Sequence, residues 1–501
     1  MNFVCNFPLF GIILMMGSGV VTHALKKQAA RVLTYISLSL SLVMSVILTV
    51  YTAGMGESFH YMMGHFPAPW GNELRIGMLE AFLVSFFILV LMLSVIGGKS
   101  FLEEELEDDK IRLFYIFVDF TAGALTAMCY TNDLFTGYVF IEILTIVSCG
   151  LMMIRGQGRN YVAAARYMVM SIVGSGLFLI SLSLLYSITG HLLMENTADV
   201  LNEYIAAGAY GRPMVMIMVF MTIGIALKSG LFPFHYWMPD SYGTALPPSA
   251  AILSGIISKI YIVLLLKIYA RCFGENYVYQ QHMLDMLLIL SLCAIIFGSV
   301  AAITQKDIQY MNAWSSAAQM GYIFLGISLG TWQGMAIALL QIIAHCAVKA
   351  GLFISSGYLG RACNSTKNKN LKGAGYRDVW AGILFTAGAF SMVGIPIFAG
   401  FGVKYELYLE SFKLLDVRMM YIAVPFVLAA STILNAAYYL KMAASIWIPE
   451  NEMEKSGFRL EKKFSFPKTA VCLIFVLLNL LIGFHFSELV DFIRTGIDLF
   501  I

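Results

Sequence analysis

Ile225-Ala-Leu-Lys-Ser-Gly-Leu-Phe-Pro-Phe-His235 places one lysine inside an apolar run and follows it with Gly230 and Pro233. An apolar run of this kind reads as a membrane-crossing helix, and glycine and proline are the residues that break one. An unpaired charge near the centre of a bilayer costs at least about 2.5–3.5 kcal/mol, so Lys228 needs a partner or water. A second stretch repeats the combination, with Gly394-Ile-Pro396-Ile-Phe-Ala-Gly400-Phe-Gly402 running into Lys404. Broken helices expose carbonyls and half-helix dipoles, an arrangement transporters use at ion sites. Two such breaks, each beside a lysine, suggest a duplicated unit.

Working outward, the 501 residues are 59% hydrophobic and 12% charged, with a mean hydropathy of +0.79. Soluble domains carry roughly 25% charged residues, so this is an integral membrane protein. A hydrocarbon core of about 30 Å needs roughly 20 helical residues. Runs of that kind lie near 3–22, 32–53, 78–97, 111–130, 133–153, 161–189, 213–235, 246–270, 284–303, 307–329, 332–357, 379–402, 419–447 and 469–491. The expectation is an all-α polytopic protein of about 14 transmembrane helices, because an open sheet cannot satisfy its backbone in lipid. The longest polar connections, 190–212, 358–378 and 448–468, are loops rather than domains.

Basic residues orient the spans, since cytoplasmic loops are enriched in Lys and Arg. Of the 32, twenty fall in loops after odd-numbered spans, Lys455, Arg459, Lys462 and Lys463 among them, and six in the remaining loops and tail. This predicts a multi-pass protein of the cell membrane with both termini on the outer side. Six lysines remain at membrane depth: Lys228, Lys259, Lys267, Lys349, Lys404 and Lys441. Lys267 and Lys441 lie toward helix ends and are expected to snorkel to the head groups. The acidic run Glu103-Glu-Glu-Leu-Glu-Asp-Asp109 is either a solvated loop or a docking surface.

Glu142 sits in the middle of the fifth span. Alone in a low dielectric, neither its carboxylate nor the Lys228 ammonium keeps its charge easily, whereas side by side each favours the other's charged form. The pair is either a switchable proton site or a static clamp. Lys259 is mid-span in the eighth helix. His345 and Lys349, four apart, share a face of the eleventh, and an imidazole titrates near neutral pH. His235, at the interface end of its span, either joins the pathway or anchors a loop. Asp119 in the fourth span either pairs with another helix or carries protons, and Glu80 and Glu406 are similarly ambiguous.

Balanced charge, 32 basic against 30 acidic residues, points away from nucleic acid as a partner. The eight cysteines form no CxxC pair, and no nucleotide-binding glycine loop occurs, so no cofactor is expected. His60 and His65 lack a further ligand in sequence, and no metal site is expected.

Lys228 to Asp240, Lys306-Asp-Ile-Gln-Tyr-Met-Asn-Ala-Trp-Ser-Ser-Ala-Ala-Gln-Met-Gly-Tyr322, His345 to Phe353 and Gly394 to Lys404 resemble the antiporter-like subunits shared by respiratory complex I, membrane-bound hydrogenases and Mrp-type sodium/proton antiporters. The resemblance implies 14 helices with two inverted five-helix repeats and broken helices 7 and 12. The corresponding segments are 1–110 (three N-terminal helices), 111–270 (first repeat), 284–447 (second repeat) and 448–501 (loop and last helix). It also implies a midplane proton relay through Glu142, Lys228, Lys259, His345, Lys349 and Lys404, other membrane subunits as partners, and protons and Na+ as the ions. A lysine at 404, the His345/Lys349 pair and a chain ending at 501 are most similar to the Mrp D-type component or its hydrogenase counterpart. The alternative is a proton-pumping component of a membrane arm, powered by NADH or ferredoxin oxidation in a partner arm. Ala245-Leu-Pro-Pro-Ser-Ala250 departs from the family, which usually has His or Glu before Ala-Pro.

Overall fold

The computed structural model describes residues 3–66, 71–416, 418–449 and 465–498. Lys455, Arg459, Lys462 and Lys463 lie outside the described residues. Successive helices are α1 (Phe7–Ala24), α2 (Lys27–Met55), α3 (Met78–Glu105), α4 (Asp108–Tyr130), α5 (Leu134–Met153), α6 (Gly158–Thr189), α7 (Gly211–Thr244), α8 (Pro247–Phe273), α9 (Met283–Thr304), α10 (Ile308–Ser328), α11 (Trp332–Ala362), α12 (379–413), α13 (Ala423–Ile446), α14 (Phe466–Phe484) and α15 (Phe486–Asp498). Among the described residues, twelve helices are long and apolar enough to span a membrane. Helix α10, made more polar by Gln309, Asn312, Ser315, Ser316 and Gln319, and the interrupted α12 bring the total to the expected fourteen.

The last run, taken as one span to 491, ends instead at Phe484, and His485 hinges it into the shorter α15. The connections hold more structure than loops. A hairpin of β1 (Phe59–Met62) and β2 (Glu73–Ile76) follows α2, and a helix Met194–Ala207 lies between α6 and α7.

Both interruptions fall where the sequence puts them. Helix α7 stops at Ser229, caps on Gly230 in left-handed backbone (φ 76°) and resumes as Trp237–Thr244. Helix α12 stops at Val393, caps on Gly394 (φ 89°) and resumes as Ala399–Lys413. Helix α8 and residues 334–360 of α11 are enclosed by the others, whereas α1, α2 and α13 keep large apolar side chains such as Val20, Val50 and Phe426 exposed. Where α6 meets α7, a Cβ on Gly174 would stand 2.7 Å from the Gly224 carbonyl and 3.1 Å from Cγ of Lys228. Small residues thus let the helices close around the lysine stem.

On the face opposite the acidic run, α8 is fastened to α3 and α4. Arg271 pairs with Glu80 at 2.6 Å, both buried, and Glu80 also accepts the Gly77 amide at the start of α3. Lys267 does not snorkel. Its buried ammonium donates to the carbonyls of Cys129 (2.5 Å) and Thr131 (2.6 Å), where α4 runs out of amide partners. Lys441 is exposed near the end of α13.

Removing one member of a buried ion pair strands the other's charge, at about 3–5 kcal/mol. Glu80→Ala is therefore expected to lower the thermal stability of the purified protein, while Glu406→Ala, whose carboxylate only accepts Gln333 Nε2 at 3.3 Å, has a smaller effect in the same melting experiment.

Candidate functional site

Helix α5 presents Glu142, Thr145 and Ser148 toward α6 and α7. The Lys228 ammonium reaches Thr145 Oγ1 at 2.8 Å, Ser171 Oγ at 2.9 Å and Glu142 Oε1 at 3.6 Å. Ser175 donates to the same carboxylate. The Lys228 side chain is enclosed, but Glu142 keeps 34% of its side chain exposed on the lateral surface of the chain. The pair therefore joins the interior to a flank where a neighbouring protein or lipid would lie.

Inward from Lys228, the Tyr261 ring lies 5.6 Å from the ammonium, and a gap too tight for a water molecule is bordered by Lys228, Tyr242, Tyr261 and Ser258. Ser258 adjoins Lys259, whose ammonium donates to its hydroxyl at 3.0 Å and to the carbonyl of Ser254. That carbonyl belongs to a π-helical turn, Leu253–Ile257, which widens α8 and loosens its carbonyls from the usual ladder.

His345 lies within electrostatic reach of both Lys259 and Lys349. Lys349 donates to the Asn312 carbonyl at 2.9 Å and to the Tyr439 hydroxyl at 3.0 Å. Tyr439 in turn donates to Asn312 Oδ1 and Ser315 Oγ, each at 3.1 Å. Beyond them Tyr322 bonds Ser431 at 2.7 Å, and the Tyr322 ring lies 5.7 Å from the Lys404 ammonium. Lys404 reaches back across the α12 break to the Val393 carbonyl at 2.7 Å and takes Thr432 Oγ1 at 3.0 Å. A Cβ at Gly394 would stand 2.9 Å from Lys404 Cδ, so glycine is required there for both its φ and its closeness to the lysine.

Glu142 and Lys228 are thus paired, His345 lies near Lys259 and Lys349, and none of these groups contacts Asp119 or His235 among the described residues. Asp119 lies fully buried between α4, α1 and α2, accepting from Thr22 at 3.2 Å and Thr34 at 3.1 Å; no basic side chain pairs with it among the described residues. It fastens the N-terminal helices to α4. His235 stands in a ring cluster with Phe232, Tyr236 and Trp314, centroids 5.0–5.5 Å away. The breaks at Gly230 and Gly394 lie beside Lys228 and Lys404; Pro233, Pro396 and Gly400 occupy the connectors or the following turn. Pro247 and Pro248, in the stretch that departs from the family, pack against Gly357 and Gly98.

The connecting hydroxyls and amides were not anticipated, although some carried a signal. Gln341 precedes His345 by four residues, as His345 precedes Lys349, and it bonds Gln319 of α10 at 2.7 Å. Thr145 follows Glu142 by three, on the same face. The partners of His60 were also missed. Glu73 lies 2.6 Å from its Nδ1 and Glu195 3.2 Å from its Nε2, with Arg75 on Glu195 at 3.0 Å. His60, Glu73 and Glu195 present atoms within 4.8 Å of one another that could ligate a metal, but the Arg75 cation already holds Glu195.

With this geometry in view, the chain belongs to a family. Residues 131–430 match the NADH:quinone oxidoreductase/Mrp antiporter transmembrane family, to which this protein therefore belongs. It is 29% identical over 446 residues to the N subunit of the NADH-quinone oxidoreductase of Desulforudis audaxviator, covering 87% of this chain and 86% of the relative. It is 26% identical over 485 residues to the D subunit of the Na(+)/H(+) antiporter of Bacillus subtilis, covering 95% and 94%. A chain of the Mrp complex from Dietzia sp. superposes with a TM-score of 0.86 at 19% identity, covering 99% of this chain and 97% of that one, so the fold is shared. The protein is an antiporter-like membrane subunit, similar to those of Mrp, complex I or related complexes.

His60 and, to a lesser extent, the Asn132 amide hold the Glu73 carboxyl below the usual carboxylate range, despite partial burial. The folded state thus binds fewer protons at Glu73 than the unfolded chain. The resulting stability is complete above the unfolded value of about 4.3 and is lost as pH falls through the lower folded value. Melting temperatures measured between neutral and acidic pH are expected to fall less steeply for Glu73→Gln than for the parent.

Proposed function

We propose that this chain is the proton-translocating subunit of a multisubunit Na+/H+ antiporter. It would lie in the cell membrane with both termini outside and assemble with other membrane subunits. The observation that carries the reading is the succession of ionisable groups from Glu142 to Lys404, with hydroxyls beside Lys228, Lys259, Lys349 and Lys404 and a helix break next to Lys228 and Lys404. Segments 111–270 and 284–447 are proposed as the two inverted repeats, each contributing one break with a lysine beside it and one further lysine of the line.

At one end, Glu142 has two kinds of neighbour within reach, Lys228 inside and whatever occupies the flank outside. While the carboxylate faces Lys228 it holds the ammonium's charge. When it turns to an outside cation, that charge is left in a low dielectric, and the proton moves inward by way of Ser258 toward Lys259 and the His345 imidazole. Lys349 and Lys404 pass the change on, with Tyr439, Asn312 and Ser431 supplying the hydroxyl and amide groups between them. A buried pair is a poor stabiliser by itself, which favours a switch over a clamp.

The likeness to the N subunit of a NADH-quinone oxidoreductase supports a second reading, a proton pump powered by redox chemistry in a partner arm. Copurification separates the two: small membrane proteins favour the first, and flavin, iron-sulfur or nickel-iron proteins favour the second.

In proteoliposomes of the intact complex, Glu142→Gln and Lys228→Ala are each expected to reduce pH-gradient-driven cation exchange at least tenfold, with assembly preserved. Exchange at the parental rate in either variant would remove the basis for the relay.

A further inference from the structure

The face that carries the acidic run divides its charge unevenly. Five of the six carboxylates of that run pair with cations of the first half and of α11: Lys27 with Asp108 at 2.6 Å, Arg31 with Glu103 at 2.7 Å, Arg155 with Glu105 at 2.6 Å, Arg112 with Asp109 at 3.2 Å and Arg361 with Glu104 at 3.2 Å. By contrast, Lys306, Lys367, Lys369, Lys372 and Lys441 of the second half, with Arg159 from the start of α6, line one cavity of about 740 Å³. Among the described residues none of these six has a carboxylate partner. The cavity's own acid, Asp307, is already occupied. Its Oδ1 accepts the amides of Gln309 (2.8 Å) and Tyr310 (3.3 Å) at the start of α10, and its Oδ2 takes the Thr366 hydroxyl.

We infer that this cavity is a binding site for the head group of an anionic phospholipid. Loops enriched in basic residues are common on one face of membrane proteins, but that rule does not bring four separate segments into one cavity. Here the start of α6, the turn between α9 and α10, the 366–372 loop and the end of α13 converge. The volume suits a head group and exceeds what a lone phosphate fills.

What distinguishes a lipid from a soluble anion is the rest of the lining. Ala302, Ile303, Ala437 and Met442 form part of the wall. From there the outer sides of α9 and α13 continue away from the charged end as exposed apolar surface, with Phe297 and Val300 on one and Ile433 on the other. A phosphate among the lysines and an acyl chain along these helices would satisfy both parts, and basic pockets between helix ends are where such head groups bind. The inference stands whichever ion the complex transports.

The test is lipid retention by the delipidated complex in detergent, measured by native mass spectrometry after adding phosphatidylglycerol or phosphatidylcholine. The parent is expected to retain phosphatidylglycerol at least tenfold better. Combining Lys367→Gln, Lys369→Gln, Lys372→Gln and Lys441→Gln should abolish that preference, whereas Lys27→Gln with Lys99→Gln, both outside the cavity, leaves it within twofold. All four lysines are exposed, and if the combination nevertheless fails to assemble, Lys372→Gln and Lys441→Gln singly should each reduce retention about threefold. Three results would overturn the inference: equal retention of the two lipids by the parent, undiminished preference in the variants, or full displacement by inorganic phosphate at concentrations matching the lipid. Crosslinking of Lys369 to an acidic segment of a neighbouring protein would replace the lipid with a protein partner.

Discussion

In hydrocarbon neither a free carbonyl nor a lone ammonium is tolerated, and this chain sets each against the other. Lys404 donates to the carbonyl that the α12 break releases, Lys259 to one loosened by the π-turn of α8, and Lys267 to those at the end of α4. Each of these irregular backbone sites is thereby a cation site, and each of these buried cations sits where the backbone departs from a regular helix. Lys349, on an uninterrupted part of α11, borrows the Asn312 carbonyl and a tyrosine hydroxyl instead. Lys228 differs again, taking hydroxyls and a carboxylate, the one partner in the group whose charge can change.

That constraint explains which parts of the structure were legible in sequence. Spans follow from long apolar runs, and the breaks from glycine and proline next to lysine, so α7 and α12 are interrupted where expected. The six ionisable groups of the line were visible because charge inside an apolar run needs a reason. Asp119 met the same criterion and lies elsewhere, since depth in the membrane says nothing about position around the bundle. Its hydroxyl partners come from α1 and α2, about a hundred residues away in sequence. Lys267 was misjudged for a related reason: a lysine near a helix end can snorkel outward or cap the end of another helix, and only packing decides. The π-turn left no clear mark, because Leu253-Ser-Gly-Ile-Ile257 suits an ordinary helix as well.

Charge on the two surfaces follows a different logic from charge in the interior. Water screens surface charges, so ion pairs there add little stability, but unequal pairing leaves a field in the places that are not neutralised. The Glu103–Asp109 run ties α2, α3, the turn after α5 and the end of α11 together on one side of the molecule. Most of its carboxylates are held there, and the basic residues at the end of α13 have no carboxylate partner among the described residues.

Burial decides which part of the line can respond to the outside. Helix α8 and residues 334–360 of α11 are enclosed, so Lys259, His345 and Lys349 have only protein neighbours, and a change in their charge must arrive from elsewhere in the protein. Glu142 is the member with a flank open to the surroundings, and Lys404 the other one not fully buried. The proposed relay would therefore be addressed at its ends and insulated at its centre, and the narrow gap between Lys228 and Ser258 is a step that no direct hydrogen bond crosses among the described residues. Tyr242 and Tyr261 border that gap and leave no room for water, so in the proposed relay the side chains there would have to shift before water could join Lys228 to Ser258.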